Sequence, residues 1–487
     1  MISPSIPVFN LATGEATLGD SEWSWAIRGI FTRFNYNFDG RYFFEVNARY
    51  DGSSRFPSAN RFAWFPSFSA GWRVSEEAFM RDYNHILSNL MLRASYGRLG
   101  NQNIGQNFPF IANFGHMAQV AYVLGGTRPM GFNPPGLAAG GDFTWETAAT
   151  TNFGINLGLW NRLNISYDRY VRRTTNMLTA GETLPAVLGT AVPRRNNAEL
   201  ETHGWELTVR WADRVNRDFR YDVGFVLADN WATITRFDGN YRNLLTNWRV
   251  GQRVGEIWGF ETVDIIRTEE QLAQAANHQR FINNPRLQLG DVEYRDRDGD
   301  GYISRGDNTS DNPGDLKIIG NASARFNFGI TGNVQWRSFD ANIFFQGVGK
   351  RDFVPTGNHF WGTRTHNMAI GTQETFQNAW RPENPDGFFP SYRQASGFNL
   401  QPQTRFLQSG AYIRLKNLGF GYTLPSDWMQ RVAIERVRVF ASGYNLWEAT
   451  GIRGEFDPEA LGGLGGHGMG VIYPLQRTVM MGVQVTL

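Results

Sequence analysis

Apolar and polar residues alternate one for one along much of this chain, the pattern of strands whose two faces meet different surroundings. Over residues 41–51, Tyr42, Phe44, Val46, Ala48 and Tyr50 fall on one face, and Glu45, Asn47 and Arg49 on the other. Phe219, Tyr221, Val223, Phe225 and Leu227 alternate with Arg220, Asp222 and Gly224. Phe326, Phe328, Ile330, Val334 and Trp336 alternate with Arg325, Asn327, Thr331, Asn333 and Gln335. The same pattern holds over 153–159, 163–167, 205–211 and 339–345, and the chain ends in it, with Val479, Met481, Val483, Val485 and Leu487 on one face. With weaker segments there are about fourteen strand candidates. Short connections (38–40 and 160–161) stand among long ones at 101–142, 177–198, 236–251, 268–317, 350–408 and 448–473. Two short helices are expected. One is capped by Ser75 ahead of Glu76-Glu77, and the other covers 269–276.

A soluble β-sandwich also alternates, so three further features matter. The polar face carries Arg, Asp, Asn and Gln at strand centres. Many strands reach about ten residues, the length that spans a bilayer when tilted. Aromatics sit near strand ends, as at Trp64-Phe65, Trp211, Trp336 and Trp447, where a membrane interface favours them. These features predict an all-β fold, an antiparallel transmembrane β-barrel with long extracellular loops. A sheet in hydrocarbon must close to satisfy its backbone. About fourteen strands could close alone as a passive porin, whereas a barrel of roughly 22 needs more chain than this. The soluble sandwich, as an adhesin or glycan-binding protein, is the remaining alternative.

Composition sharpens the choice. Only 41% of residues are hydrophobic, yet 14% are aromatic, which suits a surface apolar on one side only. Basic and acidic residues nearly balance, 47 against 45, so there is no electrostatic case for nucleic acid. The absence of cysteine excludes disulfides, thiolate metal sites and cysteine nucleophiles. The first residues lack the basic and apolar regions of a signal peptide, and no stretch approaches the length of a membrane helix.

Several segments resemble the SusC/RagA family of TonB-linked outer-membrane transporters. They run collinearly: RYFFEVNARYDGSSRF from Arg41, FPSFSAGWRVSEEAF from Phe65, LRASYGRLGNQ from Leu92, WRPENP from Trp380, YIRLKNLGFGY from Tyr412, YNL from Tyr444, FDPE from Phe456 and YPLQRT from Tyr473. The resemblance covers the whole chain but only the C-terminal part of the family's length. It implies a barrel of roughly 22 strands and import of a bulky glycan or peptide rather than catalysis. It also implies energy from TonB-ExbB-ExbD and a SusD-like lipoprotein on the outer loops. Signal peptide, TonB box, plug and first strands have no counterpart here, so residues 1–487 are expected to be the barrel's C-terminal portion. Leu487 departs from the family's usual aromatic ending.

One segment has metal-ligand spacing. Asp296, Asp298, Asp300, Tyr302, Ser304 and Asp307, with Gly301 at the sharp turn, match positions 1, 3, 5, 7, 9 and 12 of a calcium loop of the EF-hand type. Asp307 replaces the usual longer Glu, and flanking helices are not expected, so a solvated acidic turn is the alternative to Ca²⁺. Trp361, Trp380, Phe388, Phe389 and Tyr392 share one long loop. Their rings could stack on a sugar or peptide, or pack the loop on itself. Gly463-Leu-Gly465-Gly-His-Gly468 matches GxGxxG but neither leaves a strand nor opens a helix. The seven histidines are scattered, without HExxH, and no GxSxG elbow or Walker loop is present.

Overall fold

A computed structural model describes residues 22–105, 107–111, 115–117, 123–128, 131–133, 143–181, 187, 192, 194–275, 287–362, 371–393, 397–425, 427–428, 434–453, 456–461, 467–468, 473 and 475–486. Leu487, Ala276, His278, His366 and residues 463–466 of the GxGxxG segment lie outside them.

Thirteen strands form one sheet. They are β1 (Ile27–Phe38), β2 (Tyr42–Ser53), β3 (Phe62–Arg73), β4 (Leu87–Asn101), β5 (Glu146–Leu159), β6 (Leu163–Ala180), β7 (Arg194–Arg214), β8 (Phe219–Phe237), β9 (Arg325–Trp336), β10 (Phe339–Lys350), β11 (Tyr412–Thr423), β12 (Arg436–Thr450) and β13 (Thr478–Thr486). Each pairs antiparallel with its neighbours in sequence, and among the described residues β1 and β13 do not pair with each other. The described residues therefore form an open wall that does not close on itself as a porin would.

Turn chemistry sets one end of the wall. Asp39 and Gly40 sit at φ +52° and +65°, and Trp160 and Asn161 both at +55°. Positive φ at both central residues gives the tight turn whose twist matches paired strands. Longer excursions leave the other end: 54–61, 102–145, 181–193, 238–324, 351–411 and 451–477. What reads in sequence as two loops, 236–251 and 268–317, is one excursion with two ladders of its own. Glu256–Phe260 pairs with Leu316–Asn321, and Thr262–Ile265 with Val292–Tyr294. The helix Glu269–Gln274 forms with Thr268 as its cap. Ser75 does not cap a helix. It lies inside a 3₁₀ turn, Val74–Glu76, and is buried.

The two faces decide between membrane and sandwich. Phe34, Phe44, Phe68, Phe153, Val223, Val334, Phe339, Phe420 and Val483 are all exposed on the apolar face. A soluble protein rarely exposes an apolar patch beyond a few hundred Å², and a sandwich would cover this one with a second sheet. Among the described residues nothing covers it. Hydrocarbon satisfies such a face without further packing.

Candidate functional site

The polar face is built from ion pairs that lie flat along the sheet. Arg93 on β4 reaches across β5 to Asp168 on β6 at 2.8 Å, and Asn152 donates to the same carboxylate at 2.9 Å. Arg210 engages Asp222, which also accepts from Asn333 at 2.9 Å. Arg438 donates to Asp340 at 2.9 Å, and Arg33 to Glu45 at 2.8 Å. Glycines make this possible. Gly154 stands between Arg93 and Asp168 in the register, and a Cβ there would come within 2.7 Å of the Arg93 guanidinium and 2.5 Å of the Asp168 carboxylate. Gly421 leaves the same room beneath Arg438 and Asp340. Toward the tight-turn end this face holds a concavity of about 650 Å³, bordered by Arg220, Asp222, Asn333, Gln335 and Asp340.

The long excursions form a cap with its own core. Phe260, Val292, Tyr294, Ile303, Phe353, Phe360, Phe406 and Phe456 are buried together, drawn from 238–324, 351–411 and 451–477. Burying each large side chain contributes about 1.5–3 kcal/mol, enough to order connections with little regular structure. Trp361 and Phe389 belong to this core, 2% and 0% exposed, with Phe388 packed against it. Trp361 meets Phe406 edge-on at 4.8 Å, and Phe388 meets Phe389 at 5.0 Å. Phe389 and Phe406 thus pack against both Trp361 and Phe388. Trp380 is buried near Gly290, and Tyr392, edge-on to Phe376 at 5.6 Å, is the most exposed of the five expected rings at 37%.

A second cluster was not legible as a site in the sequence. Arg414, on β11 and nearly fully buried, donates to Glu448 of β12, to Glu459 at 2.7 Å and to Asp457 at 2.9 Å. Lys416 adds a contact to Glu459 at 3.1 Å. The YIRLK and FDPE segments are thus two halves of one clamp that fixes 451–477 to the wall. Asp457 also accepts from the Glu459 and Leu475 N–H groups at 2.9 and 3.0 Å. Burial alone would raise the Asp457 carboxyl, but these donors and Arg414 hold it below the ordinary carboxylate range.

The acidic loop keeps part of its expected geometry. Asp296 accepts from Gly299 N–H at 2.7 Å and Gly301 N–H at 2.8 Å, with both glycines at positive φ. Asp300 accepts from Tyr302 N–H at 2.8 Å, and Ser304 from Gly306 N–H at 3.1 Å. Ile303, between the last two, anchors the loop in the cap core. The third acid near Asp296 and Asp298 is Asp315, not Asp307. Carboxylate oxygens of Asp296, Asp298 and Asp315 lie within 4.8 Å of one another, whereas Asp307 accepts from the Asn312 amide at 3.0 Å. Asp315 is fully buried and takes the Arg297 and Ser304 N–H groups at 2.6 and 2.7 Å. Burial pushes its carboxyl up, and the charges of Asp298 and Asp296 push the same way. This donor set suits a hard cation. In sequence, Asp315 hides in a stretch that reads as a plain turn.

Over residues 3–446 the sequence matches the family described as TonB dependent receptor-like, beta-barrel. It is 28% identical over 471 residues to TonB-dependent receptor P3 of Formosa agariphila, covering 93% of this chain and 44% of that protein. It is 25% identical over 484 residues to the TonB-dependent receptor SusC of Bacteroides thetaiotaomicron, covering 93% and 43%. The chain spans about half the length of the curated relatives it matches. Among solved structures, the RagAB peptide transporter superposes with a TM-score of 0.78 at 24% identity, over 99% of this chain and 50% of that one. That likeness is one of fold.

Proposed function

The chain belongs to the TonB-dependent receptor-like β-barrel family of the outer membrane, and we infer that it is part of an importer for a bulky polar nutrient, an oligosaccharide or oligopeptide. The observation that carries this reading is the two-faced wall. One face suits lipid, and the other is lined by neutralised charge and amides that a hydrated cargo can slide past. Unpaired strand edges cannot stand in hydrocarbon, where each unsatisfied backbone group costs several kcal/mol, so further strands must complete the barrel. The polar concavity near the tight turns is the natural seat for a plug that TonB-ExbB-ExbD would displace. The cap at the other end, held by its own buried core, is the natural seat for a SusD-like lipoprotein.

Uptake of labelled oligosaccharide and oligopeptide pools tests this. Cells lacking the gene should lose uptake of one pool, and so should intact cells whose proton-motive force is dissipated. Uptake that survives dissipation would overturn active import in favour of a passive pore.

The cap has a second proposed ligand. Asp296, Asp298 and Asp315 would hold Ca²⁺, which would neutralise three converging carboxylates and brace the loop without taking part in transport. Calorimetry with Ca²⁺ on the protein and on its Asp298→Asn/Asp315→Asn variant tests it, and equal heats would exclude the site.

A further inference from the structure

Four arginines gather at the tight-turn end of the polar face. Register fixes the face they share, because residues directly opposite one another in a sheet point the same way. Arg214 pairs with Arg220, Arg220 with Gln335, Gln335 with Asp340, and Asp340 with Gly421. Gly421 pairs in turn with Phe440. Arg438 and Arg436 stand on the same face as Phe440, at two-residue spacing toward the tight turns. The other face of these strands carries Val223, Val334, Val439 and Val483, all exposed. The arginines therefore point into what the wall encloses.

Farther from the tight turns, Arg33, Arg93 and Arg210 each have a carboxylate partner. At the tight-turn end the balance tips toward the cations. Arg220, Arg436 and Arg438 border a cavity of about 490 Å³ in which Asp340 is the one carboxylate, and Arg438 takes both its oxygens. Arg337 lines the same cavity and pairs with Asp218 at 3.2 Å. Arg214 donates to the backbone carbonyls of Asn216 and Arg217, at 3.2 and 3.1 Å. Arg220 and Arg436 are exposed and have no carboxylate partner among the described residues. Arg220, Gln335 and Asp340 also border the concavity of about 650 Å³ described above, so the two make one trough.

Water answers these charges while the trough is open. A plug seated in it would displace that water, and a desolvated cation left unpaired is strongly unfavourable. Asp340 cannot relieve Arg220 and Arg436, because Arg438 already holds its carboxylate. Amides and hydroxyls on the occupant would return hydrogen bonds but not charge. The occupant of this trough must bring carboxylates of its own.

We propose that the plug seated here presents an acidic face, with carboxylates on Arg220 and Arg436 that latch it to the wall. The proposal rests on the plugged-barrel reading given above and adds the chemistry of the contact. Its test is planar-bilayer conductance of the full-length protein, opened with urea. Arg220→Gln/Arg436→Gln should open at a urea concentration lower by about 1 M. Arg220→Lys/Arg436→Lys keeps both charges and should open with the unaltered protein. Salt at about 1 M, which screens such pairs, should ease opening of the unaltered protein but not of the Gln variant. Unchanged opening in the Gln variant, or a Lys variant that opens as early as the Gln one, would overturn the proposal. So would hexaglutamate that binds the unaltered protein in calorimetry and not the Gln variant, since the trough would then be open to cargo. Circular dichroism of both variants separates a loosened plug from a misfolded wall. An unaltered protein that conducts without urea would instead sink the plugged-barrel reading itself.

Discussion

The Arg414 guanidinium and the Asp457 carboxylate, 43 positions apart in sequence, meet at 2.9 Å and join strand β11 to the connection that follows β12. The guanidinium is nearly inaccessible and faces three carboxylates. Removing one side of a buried pair strands the other, at a cost of about 3–5 kcal/mol. Arg414→Ala should therefore release 451–477 to limited proteolysis while the barrel strands stay protected. A digestion pattern identical to the unaltered protein's would show that the clamp does not hold the cap.

The same clamp fixes a pH response. Its partners hold the Asp457 carboxyl below the ordinary value, so its contribution to stability is present above the unfolded carboxylate pKa, about 3.9. That contribution is lost as pH falls through the lower, folded value. The cap should stay protease-resistant at pH 5 and loosen only below roughly pH 4. Loosening at pH 5 to 6 would contradict this ordering.

Asp315 responds in the opposite sense, because burial and the neighbouring acids raise its carboxyl. Protons and cation then compete for one site. Ca²⁺ affinity, followed by calorimetry, should rise as pH passes upward through the raised value. Asp315→Asn should abolish binding, and Asp307→Asn should leave it within about twofold. The reverse ranking would restore Asp307 as the ligand.

Phe389 and Tyr392 are neighbours with different duties. Phe389→Ala opens the cap core and should cost about 3–5 kcal/mol, read as a lower melting temperature. Tyr392→Ala changes an exposed ring and should move stability by under about 0.5 kcal/mol. If Tyr392 touches cargo, its loss weakens uptake at unchanged expression. Unaltered uptake would remove this ring from the cargo path.

Strand existence was legible because period-two alternation is enforced wherever one face meets lipid and the other water, as at Tyr221, Val223 and Phe225. The cap was less so. Its ladders, such as Glu256–Phe260 with Leu316–Asn321, are short and join segments far apart, so no local period announces them. The aromatic loop read two ways for the same reason: ring content does not say whether Trp361 faces a ligand or Phe406. Arg414 and Asp457 each stood in a family-like segment, but no one-dimensional signal said that the segments touch. The acidic loop shows the limit from the other side. Spacing located Asp296 and Asp298, while a chain reversal at 311–315 delivered Asp315 in place of Asp307.

Gly154, lying between Arg93 and Asp168, also bears on how quickly a solute can pass. Arg33, Arg93, Arg210 and Arg438 are each answered by a carboxylate a few ångströms away along the sheet, so their field decays within a short distance of the surface. Under the proposed import, a drifting oligomer would meet many shallow wells instead of a few deep ones, and no single contact would set a long dwell time. Larger side chains in place of these glycines would lift the charges off the sheet, and they would narrow the passage and make its surface stickier.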